Sequence, residues 1–231
     1  MKKIYILLTL LLLSCQNVTI PITSLPNSST SINSSLPLSS SDINDQISNS
    51  LPEEIIPPPV NENKKIKVYL NPSVQKNNIY YNKVTTEAEM MNKVSNKIYS
   101  ELSKDTRFIV YHNDRYLTLT ESIKESNSLN VDYHIALHTN AGGGSGSEAY
   151  YGNDSYFAKH ILNSFKKYHI FKNRGVKNVS HLYEIKNSTA KNKALIEFLF
   201  HDNKQEGDFI IKNYVVLALS ICEALYELAK E

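Results

Sequence analysis

Between residues 65 and 230 short apolar runs alternate with helical stretches, and this alternation restricts the fold more than any other feature of the chain. "KIKVYL" (65–70), "RFIVYH" (107–112), "VDYHIALH" (131–138), "SEAYYG" (147–152) and "KALIEFLFH" (193–201) have the length and the β-branched or aromatic content of strands. Between them, "EAEMMNKVSNKIYSEL" follows Thr85-Thr86, either of which can N-cap a helix, and places Met91, Val94, Ile98 and Leu102 on one face. Further helices are predicted over 117–129, 154–168 and 205–230. Strands joined by crossover helices give an α/β fold: a single domain with a mostly parallel or mixed twisted sheet and helices on both faces. In such sheets ligands bind beyond the carboxyl ends of the strands. That rule singles out Asn71 to Gln75, His112, and His138 to Gly144.

The residues before this domain read differently. "MKKIYILLTLLLLSC" sets two lysines before an apolar run that is too short to span a bilayer and has the form of an export signal. Its end, Leu12-Leu13-Ser14-Cys15, resembles a bacterial lipobox, so Cys15 is expected to carry lipid and residues 1–15 to form a lipoprotein signal peptide. Residues 16–63 are rich in Ser, Asn, Pro and Thr and hold no aromatic residue. Such a segment cannot bury enough apolar surface to offset its ordering entropy, so it is expected to be a disordered tether, spanning roughly 40 Å as a coil. The domain is then 64–231, exported and lipid-anchored in the cell envelope. With Cys15 lipidated, Cys222 has no partner; it lies in an apolar helical pattern and is expected to be a buried, inert thiol.

The chain carries +2 overall. Lys2 and Lys3 belong to the signal and five carboxylates to the tether, which leaves the domain at about +5. That balance suits an anionic polymer and is too mild and dispersed to argue for nucleic acid. No glycine-rich phosphate loop, Ser-His-Asp arrangement or CxxC pair stands out; "AGGGSGS" lacks the Gly-Lys-Ser/Thr that closes a phosphate loop. Two residues do stand out. His138 closes an apolar strand just before a glycine-serine loop, and Glu197 lies inside an apolar strand, where an unpaired charge is costly.

With the elements in this order, the domain resembles the zinc-dependent N-acetylmuramoyl-L-alanine amidases called amidase type 3, which hydrolyse peptidoglycan. Four pieces carry the resemblance: "IALHTNAGGGSGSEAYY", "NRGVK" (173–177), "ALIEFLFHDN" (194–203) and "TTEAEMMNKVSNKI". The resemblance implies Zn2+ as cofactor, held by His138 and Glu87, with Glu197 as general base. It also implies Asn140 and Arg174 as substrate contacts, peptidoglycan as the partner and a monomer. Glu89 competes with Glu87 for the carboxylate position, Glu148 is expected to order the loop, and His134 to be a hydrogen-bonded structural residue. The family's first histidine, in a segment resembling Asp-Pro-Gly-His-Gly-Gly, has no counterpart in Asn71-Pro72-Ser73-Val74-Gln75. Three readings stay open: Gln75 supplies the third donor through its amide oxygen, His112 (or less favourably His181) supplies it, or the domain binds peptidoglycan without cutting it.

Overall fold

The computed structural model describes residues 64–230. The signal, Cys15 and the tether lie outside them. Six strands form one mixed sheet in the order β2-β1-β3-β6-β4-β5. These are β1 (Ile66–Pro72), β2 (Phe108–His112), β3 (Tyr133–Asn140), β4 (Ser147–Tyr151), β5 (Asn173–Asn178) and β6 (Asn192–Phe200). β2, β1, β3 and β6 run parallel; β4 is antiparallel to β6, and β5 is parallel to β4. The helices are α1 (Glu87–Leu102), α2 (Leu119–Ser128), α3 (Tyr156–Lys166), α4 (Tyr183–Asn187) and α5 (Lys204–Leu228).

Strand alternation sorts the two faces. Val68, Leu70, Ile135, Leu137, Ala194, Ile196 and Phe198 point to one side and join the buried faces of α1, α3 and α5 in the main core. On the other side Ala136 and Leu195 pack with Ile185 of α4, while His134 stacks on Tyr69 and lies 2.9 Å from the Ser126 hydroxyl of α2. Burial pushes His134 down to about 4, so it is a neutral structural histidine.

α5 is long and apolar enough to cross a membrane. Its Ile210, Leu217, Ile221 and Leu225 are instead buried in the main core, and it bends at Asn213, whose side chain donates to the Phe209 carbonyl at 2.9 Å. The Cys222 thiol is buried on this helix and pushed up to about 12, mainly by burial.

The loop between β3 and β4 is held by two carboxylates. Asp202 accepts from the Gly142 and Gly143 amides at 2.7 and 2.8 Å. The fully buried Glu206 accepts from the Gly146 amide and, through its other oxygen, from the Phe200 amide, both at 2.8 Å. Gly146 has φ +102°, and a Cβ there would lie 2.2 Å from the Lys172 carbonyl oxygen. Gly146→Ala is therefore expected to destabilise the domain by about 2–3 kcal/mol, read as a lower urea midpoint.

Candidate active site

The parallel strands all end on one edge of the sheet, and three segments meet there. Glu87 is the first residue of α1. The helix begins at Thr86, whose hydroxyl accepts from the Glu89 amide at 3.2 Å while Glu89 Oε2 accepts from the Thr86 amide at 3.0 Å. This capping box occupies Glu89 at the surface, and Glu87 turns inward to 1% exposure. The geometry thus separates two carboxylates that sequence spacing left in competition. Glu89→Ala is expected to lower the melting temperature slightly through loss of one half of the capping box, with the arrangement around Glu87 intact. Thermal melting checks the first point and a ligand-binding assay the second.

His138 ends the regular part of β3. Its Nδ1 lies 3.0 Å from Glu87 Oε1, and the Gln75 amide is 3.5 Å from the same nitrogen. Asn78 ties the group together, donating to Gln75 Oε1 at 2.8 Å and to Glu87 Oε2 at 2.6 Å. On the other side of the ring, Nε2 faces Glu184 Oε2 at 3.4 Å. Burial opposes charging the ring, but hydrogen bonds to Glu184 and Glu87 outweigh it and raise His138 well above its usual range. Both carboxylates answer in kind: burial would raise them, yet the His138 hydrogen bond holds Glu87 and Glu184 below the usual carboxylate range.

Glu197 is the cross-strand neighbour of both His138 on β3 and Glu148 on β4. Its Oε2 is buried without a hydrogen-bond partner. Burial pushes Glu197 up to about 7; His138 draws it down, while Glu87, Glu148 and Glu184 push it up. A carboxyl poised near neutrality on the strand next to His138 is suited to move protons.

Glu148 is 1% exposed and surrounded by donors. It accepts from the Asn140 amide at 2.7 Å and from Tyr150 at 3.0 Å, and it pairs with Arg174 at 3.1 Å and with Lys177. It therefore joins β3, β4 and β5, whereas the loop itself is ordered by Asp202 and Glu206. Arg174 is 30% exposed and also lies over the Phe200 ring at 5.1 Å. His112 is not brought to His138: it stacks on Tyr99 at 4.2 Å and pairs weakly with Asp114 at 3.8 Å. His181 is exposed ahead of α4.

Sequence reasoning missed Glu184. It sits on α4, a five-residue helix too short to show periodicity, and only Ile185 beside it marks the segment as buried. A cavity of about 190 Å³ opens beside His138 and Glu184, lined also by Asn71, Gln75, Leu117 and Leu119.

A metal ion fits this edge only with one neutral donor. Among the described residues no three of His, Cys, Asp and Glu are grouped to hold a cation. Glu87 Oε1 and His138 Nδ1 are grouped, however, and the amide of Gln75 converges on the same nitrogen. Amide oxygen and nitrogen exchange places by a simple flip, so Gln75 can present its oxygen there. One imidazole, one carboxylate and one amide oxygen make three N/O donors with a place left open, the number a hydrolytic zinc site needs, with the amide a weaker donor than the usual second imidazole.

Solved structures share this fold. The catalytic domain of CwlV, an N-acetylmuramoyl-L-alanine amidase from Bacillus (Paenibacillus) polymyxa var. colistinus, superposes with a TM-score of 0.66 at 18% identity, over 71% of this chain and 98% of its own. An N-acetylmuramoyl-L-alanine amidase from Clostridium difficile 630 superposes with a TM-score of 0.64 at 20% identity, over 73% of this chain and 99% of its own. One from Nostoc punctiforme does so at 0.64 and 15%, over 73% and 99%. No curated protein matches the chain. The sequence pattern of the type 3 amidases, described as N-acetylmuramoyl-L-alanine amidase, matches residues 73–227, more than half of the chain. The chain belongs to that family of peptidoglycan hydrolases.

Proposed function

We propose that the chain is a zinc-dependent amidase in which Gln75, Glu87 and His138 hold the metal and Glu197 is the general base. The cut amide joins N-acetylmuramic acid to the L-alanine of the stem peptide. The observation that carries this reading is the convergence of His138, Glu87 and Gln75 next to a buried, partnerless carboxyl oxygen of Glu197. Zinc bound there would polarise the scissile carbonyl and acidify the attacking water.

The chain's own residues supply the rest. Glu197 takes a proton from the water as its oxygen bonds to the carbonyl carbon. It returns that proton to the alanine nitrogen as the C–N bond breaks, so the products are a free carboxylate and a free amine. Its rise to about 7 leaves it able to do both near neutral pH. Arg174 keeps guanidinium N–H groups beyond its pairing with Glu148 and would bind a stem-peptide carboxylate through them. Asn140, whose Nδ2 has one hydrogen on Glu148, would offer the other to substrate.

Enzymes of this family act on the wall, outside the cytoplasm. The signal with Cys15 and the 16–63 tether, both outside the described residues, would fix the enzyme to a membrane as a monomer and give the domain its reach. The test combines metal analysis and muropeptide digestion of Gln75→Ala and Gln75→His. The alanine variant is expected to lose zinc and turnover together, because a two-donor site remains. The histidine variant is expected to bind zinc at least as tightly as wild type, since imidazole is the stronger donor. A Gln75→Ala chain with unchanged zinc affinity contradicts the ligand assignment.

A further inference from the structure

The ring nitrogen of His138 that faces away from Gln75 and Glu87 is the one a metal would not use. In metal sites that second nitrogen is normally held by an acceptor, which fixes the ring and its tautomer. Here the acceptor is Glu184, whose Oε2 is 3.4 Å from His138 Nε2. Glu184 is 6% exposed, and nothing in the catalytic scheme uses it. Its other oxygen accepts from the Asn71 side-chain amide at 2.5 Å, and its neighbour Ile185 anchors α4 against Ala136 and Leu195 in the sheet.

The sequence departs from the family's pattern at both polar positions of one segment: Val74-Gln75 stands where the histidine of Asp-Pro-Gly-His-Gly-Gly falls, and Asn71 stands at its aspartate. The second departure has a local reason. An aspartate at 71 would set a like charge against Glu184, whereas the Asn71 amide donates to it. We infer that Glu184, held by Asn71, is a positioning residue that fixes His138 with Nε2–H toward α4 and Nδ1 toward the metal, in a site whose third donor is a neutral amide. A weak third donor makes this support more important, because the imidazole has to supply more of the binding.

This inference rests on the metal reading above. Its test uses the full chain, zinc titrated against a chromophoric chelator, and 15N spectra of histidine-labelled protein. Glu184→Ala is expected to bind zinc 10–100-fold more weakly than wild type. Glu184→Gln, whose amide oxygen can still accept the Nε2 proton, is expected to recover most of that loss. Asn71→Asp is expected to weaken zinc at least tenfold with the fold unchanged by circular dichroism. In zinc-loaded wild type the His138 signals are expected to show a protonated Nε2 protected from exchange, and in Glu184→Ala that protection is lost. If Glu184→Ala fails to fold, the Asn71→Asp affinity and the Glu184→Gln spectrum decide. Tight wild-type binding with unchanged affinity and exchange in the variants overturns this inference alone. A wild-type chain that takes up no zinc overturns the metal reading and this inference with it.

Discussion

Glu197→Gln is expected to lower amide hydrolysis by ~10²–10⁴-fold while leaving zinc bound. The same substitution is expected to make the metal-free chain more stable at alkaline pH. Both effects come from one buried carboxyl. In the folded chain Glu197 holds its proton up to about 7, against a usual value of 4.5. A group raised in the folded state keeps its full contribution at pH below 4.5 and loses it as pH climbs through 7, because the unfolded chain gives up the proton first. At 1.36 kcal/mol per pH unit, the penalty at pH 8 is about 3 kcal/mol. The glutamine carries no such charge, so its unfolding free energy should match wild type at pH 4 and exceed it by about 3 kcal/mol at pH 8. Urea unfolding in a chelating buffer at the two pH values checks this. Equal stability of the two chains at pH 8 would mean that Glu197 is not a strained base.

His138→Ala should have the opposite sign. His138 is flanked by two carboxylates, one on each ring nitrogen, and both are almost fully buried. Removing the imidazolium leaves Glu87 and Glu184 without their shared cation. Breaking a buried pair by deleting one partner costs about 3–5 kcal/mol. The pH dependence has two edges. The carboxylates are lowered, so their share of the stability is present above the usual carboxylate range and is lost as pH falls through it. His138 is raised, so its share is present at acid and neutral pH and is lost as pH climbs past its elevated value. The difference between wild type and His138→Ala should therefore be widest near pH 6 and shrink toward pH 3. A difference under 1 kcal/mol at pH 6 would contradict the paired arrangement. The variant should also fail to retain zinc, since only Glu87 and Gln75 remain of the proposed donors.

The sequence carried the strands that build the core, because their apolar runs are long and their faces unambiguous. It carried His138 and Glu197 for the same reason: each is a charged or polar break in an apolar strand, and the family pattern gave both a role. What it did not carry is local and short. β5, Asn173–Asn178, is a polar strand at the sheet edge that owes its form to pairing with β4. α4 has five residues, so Glu184 had no periodic context to mark it as buried. Glu148 stands at the start of its strand, next to the loop it is expected to order, yet its partners come from β3, β4 and β5, a grouping that only the strand order creates. Glu87 and Glu89 are two residues apart and both suit a helix start; the capping box, which needs the backbone angle at Thr86, decides between them. His112 ends a predicted strand at the same edge, but β1 lies between β2 and β3 and separates it from His138.

The most direct test of the central claim is one digestion with one metal analysis. The purified full chain, loaded with zinc and freed of excess metal, is incubated with N-acetylmuramoyl peptides, and new amino termini are read by mass spectrometry. Close to one zinc per chain and a free L-alanine amine on released stem peptides are expected, with Glu197→Gln keeping the zinc and releasing at least ~10²-fold less. A chain that holds no zinc, and binds peptidoglycan without freeing any amine, would contradict that claim.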